Sequence, residues 1–220
     1  MTTRAQVSSS GDGLHGLGIE QTKEALIQDI LNKPSETVDI KQRQAPLRDG
    51  YVRQPSTALI SDHATTRCDR VRPGDPLYTE VEFGDLDQSR LRISLHEGVG
   101  GHSDLPVPGE LFSAAIASCL DSTIRVIANM LGLEIKTLEV AVEAFVDLRG
   151  TLRIDPDVPT AFQDIEVGIN LVPVHPVPQA HLDAIIAAAE QSCVVLQTLR
   201  TPPRIAVNQC AGQSDPSRRH

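Results

Sequence analysis

Among the side chains in this sequence that can act as nucleophiles, two cysteines, Cys119 and Cys193, each stand on the apolar stripe of their own helix. A thiolate can attack an electrophilic oxygen or sulfur, and a second thiol within reach can then close a disulfide. From about Gly109 to Leu131, Phe112, Ile116, Cys119, Leu120, Thr123, Ile127 and Leu131 recur at three- and four-residue steps and predict one inward stripe of a helix. From about Pro178 to Leu199, Leu182, Ile185, Ile186, Ala189, Cys193 and Leu196 do the same. If the two Ala-rich helices pack against each other, the sulfurs could come within disulfide range, which needs Cα atoms roughly 4.4–6.8 Å apart. The plainer reading is that a lone cysteine in a reducing compartment is a small apolar core residue.

The other cysteines differ. Cys68 lies in T-T-R-C-D-R beside Arg67 and Arg70 and reads as an exposed bystander or an accessory thiol; Cys210 lies in a polar tail. With four cysteines and no C-x-x-C or C-x-x-H pair, neither a disulfide-stapled scaffold nor a structural zinc site is indicated. His96, His102, His175 and His181 are scattered over expected loops and strand ends without i,i+4 pairing. No G-x-S-x-G elbow is present for a serine hydrolase. The loop E-G-V-G-G-H-S-D-L-P-V-P-G lacks the Lys and Ser/Thr of a phosphate loop and reads as the passage from a strand to the first long helix.

The elements around the helices suggest an α+β domain. Thr57 to Thr66, Leu77 to Phe83 and Arg90 to His96 read as strands of an antiparallel meander. Glu134 to Arg153 and Ala161 to Val172 alternate as two long strands joined by a turn at Asp155-Pro156-Asp157. Arg204 to Val207 reads as a last short strand. Residues 1–18 read as a disordered tail, 19–56 as a short helix (Ile19 to Leu31) with a connector, 57–208 as the domain and 209–220 as a C-terminal tail. A net charge of -9 argues against a nucleic-acid partner. The absence of an apolar leader, and the shortness of the uncharged run Leu111 to Leu120, point to the cytoplasm rather than secretion or a membrane.

The run P-G-E-L-F-S-A-A-I-A-S-C-L, residues 108 to 120, resembles the first core helix of the OsmC-like family, which includes the organic hydroperoxide resistance proteins. A-E-Q-S-C-V-V-L-Q-T-L, residues 189 to 199, is similar to that family's second cysteine helix. The resemblance spans about Leu77 to Val207. It implies an OsmC-like fold, with antiparallel sheets around two long cysteine-bearing core helices, in an intertwined homodimer. It further implies reduction of organic hydroperoxides, with Cys119 as the peroxidatic thiolate, Cys193 as the resolving thiol, an external thiol reductant and no bound cofactor or metal. Peroxidase members activate the thiolate with an Arg held by a Glu. Glu110 and Arg67 are the supporting candidates here, although the family's Glu position falls on Gly109 and the proline after the second cysteine is replaced by Val194. The alternative is a non-catalytic, dimeric binding or stress-associated member that keeps the thiols as core residues.

Overall fold

In the computed structural model, residues 38–84 and 89–209 are described. The expected N-terminal tail and helix Ile19 to Leu31, together with Cys210 and the polar tail after it, lie outside those residues.

Cross-strand charge and apolar pairs build the first sheet. Strands β1 (Ala64–Arg67), β2 (Tyr78–Phe83) and β3 (Arg90–Ser94) run antiparallel in the order β1-β2-β3, with Thr65 opposite Glu82, Val81 opposite Leu91 and Tyr78 opposite Ser94. Glu80 is buried in β2, and Arg90 of β3 donates to it at 3.2 Å and to Asp69 at 2.7 Å. That pairing makes burial of a carboxylate tolerable. The expected strand from Thr57 shortens to β1, because Pro55–Ala58 closes into a 3-10 turn.

The loop after β3 is tied back onto the strand. Ser94 N–H donates to the Pro106 carbonyl (3.0 Å), Ser94 Oγ donates to the Leu105 carbonyl (2.8 Å), and Glu97 N–H donates to Ser103 Oγ (2.8 Å). Its glycines have two separate reasons: Gly100 adopts a left-handed φ of +91° in open space, and a Cβ on Gly101 would collide with the Leu95 carbonyl.

Helix α2 (Pro108–Met130) starts with Pro108 in its first turn and with the Glu110 carboxylate accepting from Val107 N–H at 2.9 Å. It ends in a Schellman arrangement: Gly132 (φ +70°) donates to Asn129 O and Leu133 to Ala128 O. Ile116, Leu120, Ile124 and Ala128, a strict i+4 line, are the fully buried residues. The predicted stripe is thus rotated slightly: Ile124 and Ala128 join it, whereas Leu131, past the last turn, is 67% exposed. By length and composition α2 could cross a bilayer, but its i+4 line belongs to the core, and Asp121 and Arg125 pair on its outer side at 2.6 Å.

Strands β4 (Ile135–Val146) and β5 (Phe162–Pro173) form a long hairpin with Leu138 opposite Leu171, Val140 opposite Ile169 and Val142 opposite Val167. Leu138, Val140, Val167, Ile169 and Leu171 pack on the helical core, while Glu139, Glu143, Glu166 and Asn170 face outward. The sequence predicts β4 running on to Arg153, yet it stops at Val146. Asp147 accepts from Arg149 N–H (3.0 Å) and caps a one-turn helix, α3 (Leu148–Thr151), and this local bond displaces the strand ladder. Gly150 packs so closely on the returning chain that a Cβ there would lie 2.5 Å from the Pro159 carbonyl oxygen.

Three further expectations are corrected. Residues 40–53, expected within a connector, form helix α1 (Ile40–Arg53), with Pro46 inside it. Its first N–H donates to Asn129 Oδ1 at 2.9 Å, a tertiary cap invisible to local periodicity. The second long helix is broken into α4 (Gln179–Ser192) and α5 (Val194–Arg200), bent by 66° at Cys193. Residues 204–207 are not a strand: Ile205 and Val207 are 82% and 93% exposed, and among the described residues no strand pairs with the stretch.

Candidate functional site

The heart of the fold is the cluster Leu120, Ile124, Ile185, Ala189 and Cys193, packed where α2 meets α4 and lies over the β4–β5 hairpin. Cys119, one residue before Leu120, is half-buried at the edge of this cluster. Cys193 is fully buried, 0% exposed. Both cysteines are free thiols, and Cys119 packs against the cluster that holds Cys193. Two positions 74 residues apart are therefore joined by packing.

The backbone at Cys193 serves two helices. Its N–H donates to Ala189 O (2.8 Å), closing α4, and its carbonyl accepts from Gln197 N–H (3.0 Å), opening α5. Between them it is extended, φ -74° and ψ 108°. Cys193 is thus a junction residue, where the sequence places it mid-helix. Burial pushes its thiol above the ordinary range, and the neighbouring Cys119 adds to the rise. The N–H groups of Leu196 and Val195, in the first turn of α5, act in the opposite direction by favouring the thiolate. Burial wins, so the inner sulfur is kept protonated while the outer one is reachable.

Leu120 and Leu196, near the two cysteines in the chain, line a cavity of about 460 Å³. Its walls are apolar (Ile165, Val167, Ile169, Ile186 and Leu199 complete them), and its polar members are Glu190 and Arg200, which form an ion pair. Local sequence reading misses Glu190, Gln197 and Arg200, because ten residues separate Glu190 from Arg200 and only the bend at Cys193 brings them together. A glutamine inside an otherwise apolar helix-facing run was the one available signal.

The proposed supporting groups stand elsewhere in the chain. Glu110 is the cap residue of α2, about 13 Å along the axis from Cys119. Arg67 donates from Nε to Glu82 Oε2 at 2.9 Å and lines a different cavity of about 280 Å³ with Cys68, Arg72, Tyr78 and Pro108. Gly109 sits under Phe162, whose ring stacks on Phe112 with centroids 4.8 Å apart. Within one chain the structure brings Cys119 and Cys193 together and brings neither Glu110 nor Arg67 to them. Cys68 is exposed. His96 Nδ1 accepts from Gly98 N–H (2.9 Å) as a local cap, and the His102 ring lies beside Tyr78. Among the described residues, no three His, Cys, Asp or Glu side chains converge as metal ligands.

Residues 101–208 match the family model described as OsmC-like protein. The fold is similar to that of an OsmC-like protein from Vibrio cholerae, at 13% identity and TM-score 0.52, covering 64% of this chain and 94% of that one. It is also similar to an OsmC-like protein from Mycoplasma pneumoniae, at 13% identity and TM-score 0.50, covering 65% and 89%. An organic hydroperoxide resistance protein OsmC from Legionella pneumophila aligns at 20% identity and TM-score 0.48, covering 64% and 90%. No curated protein matches the chain.

Proposed function

Residues 101–208 of this chain are an OsmC-like domain, and on that premise we propose that the protein is a thiol-dependent peroxidase that reduces organic hydroperoxides through Cys119 and Cys193. The observation that carries the reading is the packing of a half-buried free thiol, Cys119, against the core cluster that holds the fully buried free thiol of Cys193. The half-buried sulfur is the one a peroxide meets first. The Cys119 thiolate attacks the distal oxygen of ROOH: an S–O bond forms, the O–O bond breaks, and the alkoxide takes a proton and leaves as ROH. Cys193 then attacks the Cys119 sulfur; the S–S bond forms and hydroxide departs as water. Two electrons from an external thiol reductant restore both thiols. No bound metal or cofactor enters this cycle, and a reducing compartment such as the cytoplasm suits it.

A homodimer belongs to the same proposal. The apolar face of the β4–β5 hairpin is only partly covered by its own helices, and Ile165, Val167 and Ile169 on it line an open cavity. A second copy lying on this face would cover it. One observation favours the non-catalytic alternative: Arg67 and Glu110 are both engaged in structural bonds away from the sulfurs.

Titration of the reduced protein with one equivalent of cumene hydroperoxide, followed by thiol counting, decides between the two. Peroxidase chemistry predicts rapid loss of two thiols, abolished by Cys119→Ser and stopped at a sulfenic acid by Cys193→Ser. Thiols in the folded protein that remain unchanged would establish the cysteines as core residues. Mass measurement in solution reports the dimer independently.

A further inference from the structure

The bend between α4 and α5 has no cause in the residues at the bend. Ser192, Cys193 and Val194 include neither glycine nor proline, and the β-branched valines after the bend lower helix propensity only slightly. In an unbroken helix the Glu190 carbonyl would accept from Val194 N–H, four residues on. At the bend that partner is lost, and the Gln197 side chain replaces it: Nε2 donates to the Glu190 carbonyl at 2.8 Å in a partly buried position. Arg200, one turn further along α5, pairs with the Glu190 carboxylate. Two side chains of α5 therefore grip a single residue in the last turn of α4, one by its backbone and one by its side chain. Between the grips lies Cys193, buried in the core cluster against which Cys119 packs.

We propose that Gln197 and Arg200, acting on Glu190, are positioning residues for Cys193: they strap the α4–α5 elbow shut and so hold the resolving sulfur against Cys119. The inference rests on the pairing of the two thiols proposed above and names what enforces it. The bent backbone is the form that sets Cys193 in the cluster against which Cys119 packs. A reduced chain without the strap gains access to straighter forms that carry the thiol away, whereas the oxidised chain stays bent by its own disulfide. Removing the strap therefore lowers the effective concentration of one thiol at the other.

The test is the dithiol–disulfide equilibrium of the pair, read without peroxide. Full-length protein with Cys68 and Cys210 replaced by serine is equilibrated with reduced and oxidised dithiothreitol, acid-trapped, alkylated and weighed. The protein thiols lose two electrons and two protons, which oxidised dithiothreitol takes up. Gln197→Met keeps the volume but cannot donate; it is expected to lower the effective concentration by about three- to tenfold, the weight of one hydrogen bond. The tenfold limit corresponds to ~30 mV for this two-electron couple. Gln197→Lys, which retains a donor, restores most of it. Arg200→Leu, at a half-exposed position, gives about a threefold drop. Couples indistinguishable from the parent in all three variants, or a loss in Gln197→Met that Gln197→Lys does not restore, would overturn the strap. If Gln197→Met does not fold, Arg200→Leu carries the test on the same reading. A protein inert to hydroperoxide but showing these shifts would sink the peroxidase and leave the strap standing.

Discussion

Two thiol neighbourhoods in this molecule reverse the order that sequence would give them. Cys68 has Arg67 and Arg70 beside it in the chain, yet it lies exposed, with Arg67 engaged by Glu82 and Asp69 by Arg90. Arg67 ties β1 to β2 through its cross-strand pair with Glu82. Cys119 and Cys193 have only small or apolar residues next to them, yet packing gathers them at one core cluster. A reactive pair is a property of what converges in space; charges adjacent in sequence are as often committed to structure.

The comparison is tested most severely by activity. Cys119→Ser is expected to abolish hydroperoxide consumption, a loss of on the order of a thousandfold or more if the thiolate is the nucleophile. Cys68→Ser is expected to change it less than about twofold. The reverse outcome in a peroxide assay would move the site to the first sheet. Next in size is the core beneath the pair. Ile124, 0% exposed and in the same cluster as Cys193, should lose about 2–5 kcal/mol of stability on substitution by alanine. Urea unfolding measures this, and a loss below 1 kcal/mol would mean that the cluster is not close-packed.

Accessibility sharpens the contrast further. In the folded, reduced protein, iodoacetamide should modify Cys68 faster than Cys193 by on the order of a hundredfold, since the latter reacts only through local opening. Peptide mass mapping over time reads both sites, and equal rates would show that the α4–α5 elbow is open.

A smaller effect is expected from pH. The Cys193 thiol is raised by burial, so as pH climbs the unfolded chain gives up this proton before the folded one does. Its stabilising contribution is complete below the ordinary thiol range and is lost as pH rises through the higher folded value. Cys193→Ala should flatten that alkaline decline in unfolding experiments; an unchanged slope would assign it to other groups. Smallest of all, Arg67→Gln removes a half-exposed ion pair and should shift the melting temperature by less than about 2 °C.

Much of the architecture was legible locally. The meander, the long hairpin and α2 follow from alternation and three-to-four periodicity, and Pro108, Glu110 and Gly132 mark the ends of α2 because they satisfy or avoid orphaned backbone groups. Three elements were not legible, each for a tertiary reason. Helix α1 begins on a side-chain oxygen of Asn129, 89 positions away. Strand β4 ends early where Asp147 bonds its own neighbour and Gly150 needs room against the returning chain. The second helix breaks at Cys193, with Gln197 and Arg200 reaching back to Glu190 across the bend.

The candidate site divides in the same way. Residue types and period determined that Cys119 and Cys193 would each turn inward, and the motifs around them carried the resemblance to OsmC-like proteins, whose family model matches residues 101–208. Only the tertiary structure decided that the two cysteines meet at one core cluster, that one is half-open and the other sealed, and that Arg67 and Glu110 are committed elsewhere in the chain. Periodicity reports which face of an element avoids water. Contact between two elements depends on where each one bends and stops, and those points are set by bonds between residues far apart in sequence.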